Sequence, residues 1–211
     1  MIFFSVLSFH SRCGKNRDFF MTHNDAFIIF LMGIAGSGKG TQGELLQQRY
    51  GFASIEVGKI FRTIATEDSP RGHSISERLE KGIHMEDSET TPLVEEALRD
   101  LLQNHDKIII DGYARRETQA QDALDMMQRL GISHVVVLAI EIPEDVARKR
   151  LEDRHRNDDT PETIQHRIDH FYSSVKPAID YFARNCKTVF IDGYQEQEKV
   201  HQDIVKELGL E

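Results

Sequence analysis

From residue 27 onward the chain alternates between short unbroken apolar runs and longer stretches in which apolar residues recur every three or four positions. The first run, 27–32, reads Phe-Ile-Ile-Phe-Leu-Met. A strand covered on both faces needs such a continuous apolar run, because its side chains point alternately to both sides. Segments 107–110, 134–140 and 188–191 repeat the pattern and read as further buried strands. Helical spacing is expected over 38–50, 145–153 and 163–184. It is also expected over 197–208, where Val200, Ile204, Val205 and Leu208 fall on one face. Strands alternating with helices predict an α/β fold, a doubly wound parallel sheet with helices on both faces. No internal repeat, low-complexity tract or linker divides the chain.

Composition narrows the picture. A chain of 211 residues suits one domain, and 39% hydrophobic residues are enough for a packed core. Acidic side chains outnumber basic ones by 35 to 26, a formal charge of -9. That excludes a general binder of nucleic acid or anionic membranes, so any anion site must be a local basic pocket. Cys13 and Cys186 build neither a disulfide framework nor a Cys-rich zinc module, which fits the reducing cytosol. The ten histidines show no metal-ligand spacing and read as surface or core residues. Residues 1–9 are apolar, but no basic residue precedes them, and Arg12, Lys15 and Arg17 follow. The stretch is too short to cross a bilayer. Residues 1–20 are therefore expected to be an extension or an upstream start ahead of Met21, with a short membrane-surface anchor as the alternative.

The strongest chemistry lies directly after the first strand. Residues 33–41 read Gly-Ile-Ala-Gly-Ser-Gly-Lys-Gly-Thr, which fits G-x-x-x-x-G-K at a strand-to-helix junction. Glycines let the backbone curl so that successive N–H groups point at phosphate oxygens, and the helix adds its positive end. Lys39 then reaches the outer phosphates. Gly40 follows the lysine where GTPases and motor ATPases carry a hydroxyl for Mg²⁺; here the hydroxyl comes one residue later, at Thr41.

The run Gly36-Ser37-Gly38-Lys39-Gly40-Thr41-Gln42 resembles the P-loop of adenylate kinases and their UMP/CMP kinase relatives, and further motifs follow in family order to the C-terminus. The resemblance implies a P-loop sheet carrying a small helical acceptor-binding flap (56–85) and a short lid (154–161) within a kinase domain over 21–211. It implies transfer of the γ-phosphate of ATP to a nucleoside monophosphate, AMP first, with ATP and Mg²⁺ as cofactors. On this likeness Gly36, Ser37, Gly38, Lys39, Gly40, Thr41, Arg150, Arg154 and Gln195 hold ATP. Gly58-Lys59-Ile60-Phe61-Arg62 is similar to the segment whose arginine holds the acceptor phosphate. Asp111-Gly112-Tyr113-Ala114-Arg115 resembles D-G-[FY]-P-R: Asp111 would organise Mg²⁺ through water, with no side chain ligating the metal directly, and Gly112 and Arg115 would meet the acceptor.

Gln119 would pair with adenine, and Met85 would lie in the loop near the base. Val57, where adenylate kinases carry threonine, speaks for a UMP/CMP-type or other monophosphate kinase instead. Arg150, Arg154, Arg156, Asp158, Asp159 and Arg167 resemble the lid series. Lys39, Asp111, Arg115, Arg154, Arg156 and Arg167 would be catalytic, with Arg156 and Arg167 also touching the acceptor. The lid between Arg154 and Arg156 is too short for a structural zinc site. Phe171 and Tyr172 read as core packing. A monomer of the cytoplasm is expected, without nucleic-acid or stable membrane partners. A non-catalytic nucleotide-binding regulator is the remaining alternative.

Overall fold

The structure is a computed structural model that describes residues 25–81, 83, 85–154 and 159–210. Its centre is a parallel sheet of Phe27–Met32 (β1), Ala53–Glu56 (β2), Lys107–Asp111 (β3), His134–Glu141 (β4) and Lys187–Asp192 (β5). The strand order is β2-β3-β1-β4-β5, and every neighbouring pair is parallel. Helices Lys39–Tyr50 (α1), Val57–Ala65 (α2), Pro70–Glu80 (α3), Asp87–Leu101 (α4) and Glu117–Arg129 (α5) precede β4. Glu144–Asp153 (α6), Pro161–His170 (α7), Lys176–Asn185 (α8) and Gln197–Leu208 (α9) follow it.

The apolar runs are continuous because both faces of the sheet are covered. Ile28, Phe30, Ile108, Ile110 and Val137 pack with residues of α4, α5 and α8 in one core cluster. Ile29, Leu31, Ile109, Leu138 and Ile191 pack against Leu46 of α1 and Ile204 of α9 in the other. Full burial of one such side chain contributes roughly 1.5–3 kcal/mol, so the stacked runs fix the register. A third cluster joins Ile34 after β1 to Ala147 and Leu151 of α6 and to Ile164 and Ile168 of α7. The strand expected over 188–191 is one residue longer at each end, and β3 takes in Asp111. The edge strand β2 carries no apolar run: of Ala-Ser-Ile-Glu only Ile55 is buried.

The helix expected over 163–184 is not continuous. A π-helical turn, Phe171–Val175, separates α7 from α8. Pro177 in the first turn of α8 has no N–H to give, so the ladder is interrupted there in any case. The two halves also pack against different clusters, Ile168 in the third and Phe182 in the first. Tyr172 corrects the core expectation: it is 48% exposed.

Connections leave the neighbouring strands β1 and β4 in opposite directions, α1 toward β2 and α6 toward β5. Such a switch point opens a crevice at the carboxyl ends of the strands. Among the described residues, no helix is long and apolar enough to cross a membrane.

Candidate active site

The crevice begins with the loop after β1. Gly33 has φ 136°, and a Cβ there would meet the Ile140 carbonyl oxygen at 2.3 Å, so only glycine fits. Gln42 N–H donates to the Gly38 carbonyl at 3.0 Å, starting α1 with its free N–H groups facing the loop. Lys39 Nζ folds back and donates to the carbonyls of Gly33 (2.7 Å) and Ile34 (2.8 Å). Burial lowers the Lys39 pKa to about 8; Asp111 opposes the shift, and Arg115 and Arg154 add to it. Cations from the loop after β1, the loop after β3 and the end of α6 therefore act on one another at one place. Ser37 is buried, while Gly40 and Thr41 lie exposed in the first turn of α1.

Arg150 braces the cradle from the side. It donates to the carbonyls of Gly36 at 3.4 Å and Gly193 at 3.3 Å, joining the loop to the turn after β5. In that turn the Gln195 amide donates to the Asp192 carbonyl at 2.9 Å and to Asp203 at 3.1 Å.

The loop after β3 turns sharply. Gly112 has φ 84°, and a Cβ there would come within 3.2 Å of Arg115 Nη2. Ala114, fully buried, has φ 57°, a left-handed conformation rare for a residue with a Cβ. Arg115 N–H donates to Gln119 Oε1 at 2.9 Å, which turns the –NH2 of that amide to the other side. Burial lowers the Arg115 pKa; Asp111 opposes this and Arg167 adds to it. A cavity of about 100 Å³ beside this turn is lined by Val57, Gly58, Met85, Gly112, Arg115 and Gln119, among others. Exposed Arg62 lies over the same wall: a Cβ on Gly58 would be 3.2 Å from Arg62 Nη1. Ile83 also lines the cavity, whereas His84 lies outside the described residues.

Asp159 gathers Arg154 and Arg167, two arginines of the expected lid series. Its side chain is only 1% exposed; Arg154 Nε and Nη2 donate to it at 2.8 and 2.9 Å, and Arg167 pairs with it as well. Burial pushes the Asp159 carboxyl up, but these hydrogen bonds outweigh it and hold the group below its usual range. Arg156 and Asp158 lie outside the described residues.

Two cationic or titratable residues lining the cavity escaped the sequence reading, Arg116 and His170. Arg116, paired with Asp87 of α4, stands directly after the expected Arg115 and was hidden by it. His170 was read among surface or core histidines, yet it lines this cavity. Its three-residue spacing from Arg167 on a helix was the available signal. A larger cavity, about 260 Å³, lies under Phe171, Tyr172 and Phe190; none of the site arginines lines it, and its walls are mostly apolar. The cation-rich crevice fits an anionic ligand better.

A family model described as adenylate kinase matches residues 31–187. The chain is 34% identical over 182 residues to "Adenylate kinase 1" of Nostoc sp. (strain PCC 7120 / SAG 25.82 / UTEX 2576), covering 86% of this chain and 98% of that protein. It is 32% identical over 184 residues to "Adenylate kinase" of Mycolicibacterium vanbaalenii, covering 86% and 98%. Similarity to "Adenylate kinase" of Porphyromonas gingivalis is 32% over 160 residues, covering 74% and 82%.

Proposed function

The chain belongs to the adenylate kinase family, and on that premise we propose that it transfers the γ-phosphate of ATP reversibly to AMP, giving two ADP. The supporting observation is the convergence of Lys39, Arg115 and Arg154 from three segments of the chain beside Asp111. Donor and acceptor phosphates repel, and the transferring group spreads charge over its oxygens. Cations gathered at the site before the reaction offset that repulsion.

In this reading residues 36–41 and Arg150 cradle the donor, with Gln195 near its base. Lys39 leaves the carbonyls of Gly33 and Ile34 for the outer phosphates. Arg62 and Arg115 hold the acceptor phosphate, Gln119 offers its –NH2 to the base, and Met85 and Gly112 complete the wall. Arg154, Arg156 and Arg167 close from the lid (154–161) over the transferring group, and the segment 56–85 closes from the acceptor side. Both flaps sit on one kinase domain over 21–211.

Among the described residues no three His, Cys, Asp or Glu side chains gather around a common point. Asp111 at the end of β3 fits a Mg²⁺ held chiefly by nucleotide phosphates and water. The ion would supply charge neutralisation to those phosphates. A cytoplasmic monomer serving nucleotide biosynthesis is the setting this reading favours.

The test is purified protein with Mg²⁺, ATP and each nucleoside monophosphate in turn. AMP is expected to give the highest kcat/KM, with CMP or UMP next. Lys39→Ala is expected to cost ~10²–10³-fold or more, as loss of one charged donor at a reacting centre does. Pyrimidine monophosphates outrunning AMP would overturn the choice of acceptor and favour the UMP/CMP reading that Val57 allows. Retention of turnover by Lys39→Ala would overturn the kinase reading itself.

A further inference from the structure

Resting on this reading of the site, we propose that His170 is an acceptor-binding residue of this chain, its imidazole sharing the phosphate of the incoming monophosphate with Arg115. His170 is the last residue of α7, three positions after Arg167, so the two side chains share a helix face. It lines the acceptor cavity together with Gly112, Arg115, Arg116 and Gln119, residues of the turn after β3 and the start of α5. Its Nε2 is shut off from solvent. The π-helical turn begins at the next residue, Phe171. Such turns recur at functional sites, because the widened backbone re-aims the side chains at its edge.

Among the described residues, the charged and titratable groups that act on the ring include Arg115 and Arg116, in the turn after β3, and His166, one turn back on α7. Burial, then Arg115, His166 and Arg116, lower the His170 pKa to about 4, so the ring is neutral near pH 7. A neutral imidazole adds an N–H donor to this wall without adding another positive charge. A monophosphate near pH 7 carries close to two negative charges, and beside Arg115 it offsets the field that keeps the proton off the ring. Acceptor binding then raises the His170 pKa, and proton uptake accompanies binding only as pH falls toward the pKa of the bound state. By linkage, the contact strengthens over the same range.

The full chain labelled with ¹³C at histidine Cε1 gives a direct test, the His170 signal being assigned by its loss in His170→Gln. Without nucleotide the signal is expected to titrate well below the ordinary 6.5. Saturating AMP should raise its midpoint by a pH unit or more, while adenosine, which lacks the phosphate, should not. Equal midpoints with AMP and adenosine would overturn the proposal. Kinetics provide a second readout: His170→Gln should raise KM for AMP about fivefold or more, the loss of one hydrogen bond to a charged group, and leave KM for ATP and Tm unchanged. No change in KM for AMP, or equal changes in both KM values, would also overturn it. Absence of phosphorylation by the wild-type chain would fail the kinase reading. Normal phosphorylation with an unshifted His170 would fail this inference alone.

Discussion

Lys39 is held by two carbonyls of its own loop, and its pKa is lowered to about 8, well below the ordinary 10.5. The free protein therefore loses much of its phosphate-binding charge between pH 7 and 9. Affinity for ATP is expected to fall by up to ~tenfold per pH unit above 8, because binding must restore a proton to the amine. Calorimetry from pH 7 to 9.5 checks this, and Lys39→Ala should lack the fall; a flat profile in the wild type would refute it. Stability moves the other way. The unfolded chain keeps the proton up to 10.5, so the lysine's contribution to stability rises with pH between 8 and 10.5. The sequence alone pointed to Lys39, Asp111 and Arg115 because their motifs are local. It could not give the lowered pKa, which arises from burial and from arginines 76 and 115 positions away.

At the scale of elements, one carboxylate joins two arginines of the proposed lid among the described residues. Asp159 stands in the short connection between α6 and α7, bound by Arg154 from one side and Arg167 from the other. Asp159→Asn keeps the shape but removes the charge, leaving two arginines to repel. Such a variant is expected to lower kcat/KM by about tenfold to a hundredfold, as misplacement of reacting groups by around an ångström does. Steady-state kinetics with ATP and AMP measure it, and an unchanged kcat/KM would remove Asp159 from the mechanism. The charged stretch was legible in sequence, but the burial of Asp159 was not, since it depends on where Arg154 and Arg167 are brought together. The break between α7 and α8 was marked in sequence by Pro177 alone, because apolar spacing runs through it; the change of packing partner places it.

For the whole molecule, the sheet and the helices packed on both its faces are expected to stay rigid while the two proposed flaps move at the crevice. Joint arrival of ATP and AMP brings several negative charges to one point, and the arginines of both flaps should be drawn inward, excluding water. A bisubstrate analogue joining the two nucleotides should bind far more tightly than either alone, because the entropy of assembling them is already spent. Hydrogen exchange with that analogue is expected to show protection rising together over 57–85 and 154–161, with β1, β3 and β4 unchanged. Unaltered exchange in either segment would refute two-flap closure and return its arginines to the solvent.

The sequence by itself determined the layered fold, since continuous apolar runs separated by helices have few other ways to be buried, and it pointed to the proposed phosphate cradle, since its glycines and lysine lie within nine consecutive residues. Tertiary structure decided what depends on distance through space. It ordered the strands β2-β3-β1-β4-β5, recruited a β2 with only one buried side chain, and set Arg116 and His170 into the wall of the cavity beside Arg115. Such placements follow from packing between segments far apart in the chain. Local pattern records which face of an element is apolar, but not which neighbour that face will meet.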